Sequence, residues 1–586
     1  MMESSWRYKI LAAIFGLMGV AIVIQTIRLQ VIPEGQAIRQ EGDDRFQGVW
    51  LELDSPRGQI FDRGGYLLAG NKIVYEVGIE LQYVRDAGSI AQVLNTVLEM
   101  NYTEALGRAS LPYDEKDSVY AVVERGVSAE KAAILQSFID KWAEDFRDGV
   151  VGDGSLAGLV LFPYLHRTYP ERDLASSVVG FVNLEEKGYF GVEEHYDRTL
   201  IGAAKEVWIP FNPNNVTEMP DIPSGASLVL TIDREIQLMV EQLLDEAVEQ
   251  YEAKSATIIV MNPENGEIYA MASTPRIDLN EFWTFPEIYP EDTPFNRAVS
   301  QSFEPGSAFK VFTMSAALDS GTVTPETIFF DTGSIEVGGI TIANWNGDAW
   351  GEQDMIGCLQ YSLNVCLAWV GTELGADKFY EYMDAFGFGH FTNIDLAWEA
   401  TGRLKEPGDG DWYPADLGTN TFGQGISVTP IQMVVAASAI ANDGKMVVPH
   451  VVRITIDENY QYKTHTQTAG QPITAETART LNEMLAISLE EEASRALVPG
   501  YRLAGKTGTA EIPQGNEGYT KEITNASFIG WGPVDDPKFI VYVWIEEPTP
   551  IWGSLTAAPV FSKVVERLVV LLNIPPDVVR NQLNGQ

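Results

Sequence analysis

Three short stretches of this 586-residue chain hold residue types that together can move an acyl group. In Pro305-Gly306-Ser307-Ala308-Phe309-Lys310, a hydroxyl and an amine stand three positions apart, about one helical turn, and so share a face. A serine hydroxyl is a weak nucleophile until a base takes its proton, and a buried lysine with a lowered pKa can be that base. Ser362-Leu363-Asn364 comes 55 positions after Ser307 and adds a second hydroxyl and an amide. Lys506-Thr507-Gly508-Thr509 comes 144 positions after Ser362. Its amine and hydroxyls make a carboxylate-binding cluster, and its glycine lets a substrate backbone approach a strand edge closely.

Singly, each pattern is common. Ser128-Ala129-Glu130-Lys131 repeats the S-x-x-K spacing, and there the expectation is a helix N-cap with an acidic first turn. The ordered set S-x-x-K, S-x-N, K-T-G is specific. A competing motif overlaps the third stretch, because Gly500-Tyr501-Arg502-Leu503-Ala504-Gly505-Lys506-Thr507 fits the phosphate-loop pattern G-x-x-x-x-G-K-[ST]. That loop needs a helix starting at its lysine, to aim backbone N–H groups at phosphates. The continuation Gly508-Thr509-Ala510-Glu511-Ile512-Pro513 is poor helix material, and a nucleotide site is not expected.

Elements that could position these residues are legible around them. Ala308 to Leu318 is apolar on nearly every face and stops at Ser320-Gly321, which predicts a buried helix with Ser307 in its first turn. Ser362-Leu363-Asn364 lies between two apolar helical stretches, and Lys506 opens a strand-like segment. Asp233 can cap a helix whose buried face is Ile236, Met239, Val240, Leu243, Leu244, Ala247 and Val248. Thr257–Met261 and Glu267–Ala272 read as a hairpin around Asn262-Pro263-Glu264-Asn265-Gly266, and Ala526–Gly532 and Phe539–Ile545 as two more strands. A last helix is expected from Pro559, with Val560, Phe561, Val564, Val565, Leu568, Val569 and Leu572 inward. The economical architecture is an antiparallel sheet covered by terminal helices, with a helical insert from about 290 to 500. Residues 72–160 give mixed α/β patterning only. Pro210, Pro213, Pro220, Pro223 and Gly225 mark a linker or domain border before this region.

Composition sets outer bounds. The balance of 40 basic against 82 acidic residues, net −42, argues against nucleic-acid or anionic-membrane surface binding and suits a solvated surface, as in a salty habitat. Cys358 and Cys366 exclude a disulfide scaffold, and eight positions apart on one helix they would sit about 12 Å apart, too far to bridge. The five histidines are scattered and form no HExxH, so no metal centre is expected. After Arg7 and Lys9, the uncharged run Ile10–Ile27 spans about 27 Å as a helix, close to the hydrocarbon thickness. No A-x-A-like cleavage site follows it, so the expectation is an uncleaved anchor with its N-terminus inside and everything after residue 28 outside.

Other stretches extend the pattern. They include Pro56-Arg57-Gly58-Gln59-Ile60-Phe61-Asp62-Arg63-Gly64-Gly65, Arg167-Thr168-Tyr169-Pro170, Gly180-Phe181-Val182 and Gly191-Val192-Glu193. Later come Phe422-Gly423-Gln424-Gly425-Ile426-Ser427-Val428-Thr429-Pro430-Ile431-Gln432 and Ala557-Ala558-Pro559-Val560-Phe561. With the three motifs, these resemble the class B penicillin-binding proteins, single-pass D,D-transpeptidases that cross-link bacterial peptidoglycan. Ala308 stands where Thr is frequent and Leu363 where Ser is frequent, both at middle positions of their motifs. The resemblance implies an α+β multidomain protein: tail 1–9, transmembrane anchor 10–27, mixed α/β pedestal (dimerisation-like) domain 28–222, a serine β-lactamase-like transpeptidase domain 223–575 and a tail 576–586. The last domain would be an antiparallel sheet with terminal helices plus a helical subdomain.

The implied mechanism assigns each residue a task. Ser307 attacks the D-Ala-D-Ala carbonyl of a stem peptide, and Lys310 is its base. Backbone N–H groups of Ser307 and Thr509 hold the oxyanion. Ser362 relays a proton to the departing D-Ala, Asn364 holds the donor amide, and Lys506 and Thr507 bind the terminal carboxylate, followed by Gly508, which lets the substrate backbone come close. A second stem peptide's amine resolves the acyl-enzyme, and β-lactams inhibit by mimicking the donor. No cofactor or metal is needed. The resemblance also implies a SEDS-type glycan polymerase as membrane partner and a place in the bacterial inner membrane, and Asn364 leans toward septal, division-type enzymes. Three alternatives stay open here: a carboxypeptidase or serine β-lactamase, a β-lactam sensor, and a non-catalytic scaffold of a cell-wall complex.

Overall fold

The computed structural model describes residues 4–31, 48–53, 55–149, 154–210, 223–290, 293–492, 494–513 and 519–584. The fold divides into two units, Met1–Arg57 with Ile201–Gly225, and Gly58–Leu200 with Ala226–Gln586. In the first, α1 (Ser4–Val31) contains Trp6–Arg28, 23 residues long and apolar enough to cross a bilayer. None of that span is buried in the protein. In the same unit β1 (Gly48–Leu53) pairs antiparallel with Lys205–Pro210, Gly48 opposite Pro210. Of the proline cluster, Pro213 and Pro220 lie outside the described residues.

The second unit contains two large sheets. A seven-stranded sheet holds β2 (Ile60–Phe61), β3 (Leu67–Glu80), β4 (Tyr120–Ser128) and β5 (Leu159–Thr168), and also β6 (Ser227–Leu230), β7 (Val452–Asp457) and β8 (Tyr460–Lys463). β2 runs parallel to β6, with Ile60 opposite Leu228, and β7 lies antiparallel on the other side of β6. The mixed pattern of residues 72–160 resolves into β3 to β5 and the helices Ala87–Leu98, Tyr102–Ala109 and Ala129–Arg147, around a core of Val77, Ile79, Ile90, Leu94 and Leu135. Ser128 caps the last of these helices, its hydroxyl accepting the Lys131 N–H at 3.3 Å.

The other sheet has five strands, all antiparallel, in the order β10-β9-β13-β12-β11, where β9 is Ser255–Met261, β10 Ile268–Ser273, β11 Ala504–Pro513, β12 Tyr519–Gly532 and β13 Phe539–Glu546. The central strands are continuous apolar runs because both faces are covered. Ile258, Val260, Val541 and Val543 face α2 (Arg234–Gln250) and a C-terminal helix (Ala557–Leu571), while Ile259, Met261, Tyr542 and Trp544 join the other core. Asp233 caps α2 through the N–H groups of Glu235 and Ile236, and the predicted apolar face is inward, with Val248 at its margin. Each such buried Leu, Val or Phe contributes roughly 1.5–3 kcal/mol. The C-terminal helix begins at Ala557, two positions before Pro559, so the proline sits inside its first turn.

Two expectations need correction. The insert between 290 and 500 is helical only in part: it also carries the hairpin Ser334–Val337 with Ile340–Ala343 and supplies β7 and β8 to the larger sheet. And Cys358 and Cys366 form a disulfide, Cα atoms 6.0 Å apart. The chain between them is two helices, α3 (Met355–Gln360) and α4 (Asn364–Leu374), folded back at Tyr361, Ser362 and Leu363. The 1.5 Å rise of a single helix does not apply across that break.

Candidate active site

The nucleophile candidate sits where expected, with a tighter local geometry. Gly306–Phe309 is a single 3-10 turn, and the α-helix proper runs Lys310–Asp319, ending at Ser320-Gly321. Ser307 is half-buried in the turn, whereas Lys310 is fully buried. The turn lies against β11, the edge strand of the five-stranded sheet. Gly306 has φ +56, and a Cβ there would come 2.6 Å from the Thr509 carbonyl. Gly508 is crowded from the other direction: a Cβ would overlap Ser527 Oγ and come 3.0 Å from the Pro305 carbonyl and 3.1 Å from Ala308 Cβ. The close approach that Gly508 permits is therefore made by the protein's own nucleophile turn.

The second motif meets the first through Lys310. Its Nζ donates to the Ser362 carbonyl at 2.6 Å, to Ser362 Oγ at 3.1 Å and to Asn364 Oδ1 at 2.8 Å. Ser362 adopts φ +54, a left-handed conformation that costs a non-glycine residue about 1–3 kcal/mol. Several bonds hold it there. Ser362 N–H donates to Leu359 O, Leu363 N–H donates to Cys358 O, and the disulfide ties the two helices on either side. Asn364 is the first residue of α4, and its Nδ2 donates to Ala343 O at 3.3 Å.

The third motif lies on β11, in register with β12: Lys506 opposite Ile529 and Thr509 opposite Ala526. A strand here, with no helix starting at the lysine, removes the phosphate-loop reading. Lys506 is buried, and its Nζ lies 3.4 Å from Thr507 Oγ1. Thr509 Oγ1 accepts the Gly553 N–H at 3.1 Å. The structure thus joins Lys310, Ser362 and Asn364 by direct hydrogen bonds, and sets the Ser307 turn between that cluster and Thr509.

Asn344, Asp331 and Glu304 support the site and had no signal of their own in the sequence. Asn344 Oδ1 accepts the Val365 N–H beside Asn364, and its Nδ2 donates to Asp331 Oδ2 at 2.6 Å. Glu304 accepts the Gly425 N–H at 3.1 Å, and Gly306 N–H donates to Gly423 O at 3.1 Å, which sets the 422–425 stretch against the nucleophile turn. Among the described residues, no group of three or more His, Cys, Asp or Glu side chains gathers as a metal site requires.

Comparison with known families agrees with this geometry. Residues 256–566 match the penicillin binding protein transpeptidase domain, which is more than half of the chain, and residues 52–217 match the penicillin-binding protein dimerisation domain. The chain belongs to the class B penicillin-binding proteins. Stage V sporulation protein D of Bacillus subtilis is 31% identical over 548 residues, covering 90% of this chain and 80% of that protein. A probable peptidoglycan D,D-transpeptidase, PbpC of Pseudomonas aeruginosa, is 27% identical over 98% of this chain and 96% of its own. Among solved structures, penicillin binding protein 2X from Streptococcus thermophilus superposes with TM-score 0.73 at 22% identity, over 89% of this chain and 80% of that one. Penicillin binding protein 3 from Mycobacterium tuberculosis, complexed with aztreonam, gives 0.68 at 23%, over 90% and 98%. These last two likenesses speak for the fold.

Proposed function

We propose that this penicillin-binding protein cross-links peptidoglycan stem peptides, with Ser307 as nucleophile and Lys310 as the base that activates it. The observation that carries the reading is the three-way hydrogen bonding of a fully buried Lys310 to Ser362 and Asn364, one helical turn from Ser307. Ser307 Oγ adds to the penultimate D-Ala carbonyl as the unprotonated Lys310 amine, which gives up one of its three donated bonds, takes the hydroxyl proton on its lone pair. The N–H groups of Ser307 and Thr509 stabilise the oxyanion. When the peptide C–N bond breaks, the proton passes through Ser362 to the amine of the leaving D-Ala, and an acyl-enzyme remains. The amine of a second stem peptide attacks that ester, gives up its proton and restores the Ser307 hydroxyl. Asn364 holds the donor amide, while Lys506 and Thr507 hold its terminal carboxylate, with Gly508 allowing the strand and turn to close up.

β-Lactams follow the same first step and stop at the acyl-enzyme. In this reading residues 1–9 lie in the cytoplasm, 10–27 anchor the chain in the inner membrane and the remainder lies outside, with the pedestal at 28–222, the transpeptidase domain at 223–575 and a tail at 576–586; the length and apolar character of Trp6–Arg28 support the anchor. A SEDS-type glycan polymerase would meet the anchor and pedestal. Asn364 at the third position of S-x-N supports a septal role. Labelling with a fluorescent penicillin tests the chemistry: wild type is marked, and Ser307→Ala is not. Labelling of Ser307→Ala at the wild-type rate would overturn it. A fluorescent fusion tests the role, since localisation to the lateral wall and not to the septum would remove the division assignment.

A further inference from the structure

The helix that carries Asn364 has no cap of its own. α4 begins at Asn364, and its N-cap position holds Leu363, whose side chain has no atom to accept a first-turn N–H. The task passes to Asn344, 21 positions before Val365: its Oδ1 accepts the Val365 N–H at 3.2 Å. The residue before it, Ala343, accepts Asn364 Nδ2 at 3.3 Å, which turns Asn364 Oδ1 to Lys310 Nζ at 2.8 Å. The segment 343–344 therefore holds both the start of α4 and the face of the Asn364 amide. Asn344 is itself aimed by a buried carboxyl group. Its Nδ2 donates to Asp331 Oδ2 at 2.6 Å and to the Asp348 carbonyl at 3.1 Å, so its amide can face only one way. Asp331 is fixed in turn, Oδ1 accepting the Gly333 N–H at 3.1 Å and Oδ2 the Trp350 N–H at 3.0 Å. Asp331 and Asn344 are 1% and 4% exposed, so water offers neither of them a substitute partner.

We propose that Asp331 is a positioning residue for the acylation step, acting through Asn344 on Asn364. The carboxyl group orients the Asn344 amide, the amide caps α4 from outside the helix, and the cap keeps Asn364 Oδ1 on the Lys310 amine that also reaches Ser362 Oγ at 3.1 Å. Asp331 takes no proton and meets no reacting atom in this assignment. Its effect is on where the base and the relay hydroxyl stand when Ser307 gives up its proton, and a displacement of about 1 Å at such a point can cost 10²-fold in rate. The proposal rests on the serine acyl-transfer reading of the Ser307 site. It adds a source of order for the S-x-N motif that none of the three motifs contains, since Leu363 supplies no cap.

Acylation by a saturating fluorescent penicillin, followed on the full-length protein in detergent and normalised to the amount labelled at completion, tests this, with melting temperatures taken on the same samples. Asp331→Asn and Asn344→Ala should each acylate about tenfold more slowly. In an Asn364→Ala background, where the group being positioned is gone, Asn344→Ala should slow acylation by no more than about twofold further. Asn344→Asp alone sets a second carboxyl group against Asp331 and removes the donor, and should be at least as slow as Asn344→Ala. The exchange of Asp331→Asn with Asn344→Asp restores an N–H between the two side chains and still offers Val365 an acceptor, so its rate should return to within about threefold of wild type. Lower melting temperatures with unchanged acylation rates would show a merely structural role and overturn the proposal. So would losses for Asn344→Ala and Asn364→Ala that multiply in the double variant, or an exchange variant as slow as Asn344→Asp. If Asp331→Asn does not fold, the Asn344→Ala and Asn364→Ala pair decides alone. Acylation of Ser307→Ala at the wild-type rate would instead overturn the underlying site, whatever these variants do.

Discussion

Lys310 Nζ donates to both oxygens of Ser362, the backbone carbonyl at 2.6 Å and the hydroxyl at 3.1 Å. One amine thus holds the left-handed turn of the S-x-N motif and touches the hydroxyl that would pass a proton onward. The two tasks meet in one residue, since Ser362 also carries the left-handed φ of +54.

Removing that amine should cost both chemistry and order. Lys310→Ala leaves two buried acceptors on Ser362 and a half-buried one on Asn364 without their donor, worth about 1–3 kcal/mol for each that water cannot reach. Penicillin labelling should drop by about 10²-fold or more, as expected for a lost base. Ser362→Ala should keep the carbonyl contact, and so lose labelling with a smaller loss of stability. In-gel fluorescence and thermal melts on the same samples would check the pair of effects, and a Lys310→Ala protein that labels like wild type would refute the base assignment.

The disulfide should act as a brace for the same turn. Cys358 and Cys366 close a short loop around Ser362, and a loop of that size accounts for about 2–3 kcal/mol in the chain-entropy model. Cys358→Ala with Cys366→Ala, or treatment with a thiol reductant, should lower the melting temperature and slow penicillin acylation, while Ser307 remains the labelled residue. Equal melting and labelling with and without the bridge would show that the hydrogen bonds of the turn suffice.

Gly508 offers a steric test. Gly508→Ala puts a methyl into Ser527 Oγ and within 3.0 Å of the Pro305 carbonyl, so the nucleophile turn must draw back from β11. Acylation should fall at least tenfold, with far-ultraviolet circular dichroism unchanged because the strand remains paired to β12. Unaltered acylation would mean that the turn has slack which the packing does not suggest.

A titration outside the site gives a pH signature. Burial pushes the Glu241 carboxyl up to about 6 from its ordinary 4.5, against the opposing pull of Arg276, Gln237 and the Ala175 N–H. A raised carboxyl pKa favours folding while the group is protonated. Its contribution is full below 4.5 and is lost as pH rises through about 6, about 2 kcal/mol in all. Between pH 5 and 7.5 the wild type should lose about 1 kcal/mol more than Glu241→Gln, as read from denaturant midpoints at the two pH values. Identical pH slopes for the two proteins would refute this.

The sequence by itself was enough for every feature that local chemistry decides. The Asp233 cap, the apolar face of α2, the hairpin of Thr257–Met261 with Glu267–Ala272 and the strand runs Ala526–Gly532 and Phe539–Ile545 follow from periodicity and turn residues within a few positions of each other, whereas the first half of β12, from Tyr519, was not legible. The three motifs were also readable, since their identity lies in residue type and order. What brought Lys310 to Ser362 and Asn364, and set Gly508 under Pro305, was tertiary packing between segments 50 to 200 residues apart. The same holds for the disulfide, where one left-handed serine reverses the chain and undoes a helix-based estimate. It holds for Ile60 pairing with Leu228, which no local period can specify. Asn344 was silent for the same reason: an asparagine in a loop becomes part of a site only when the fold carries its partner to it.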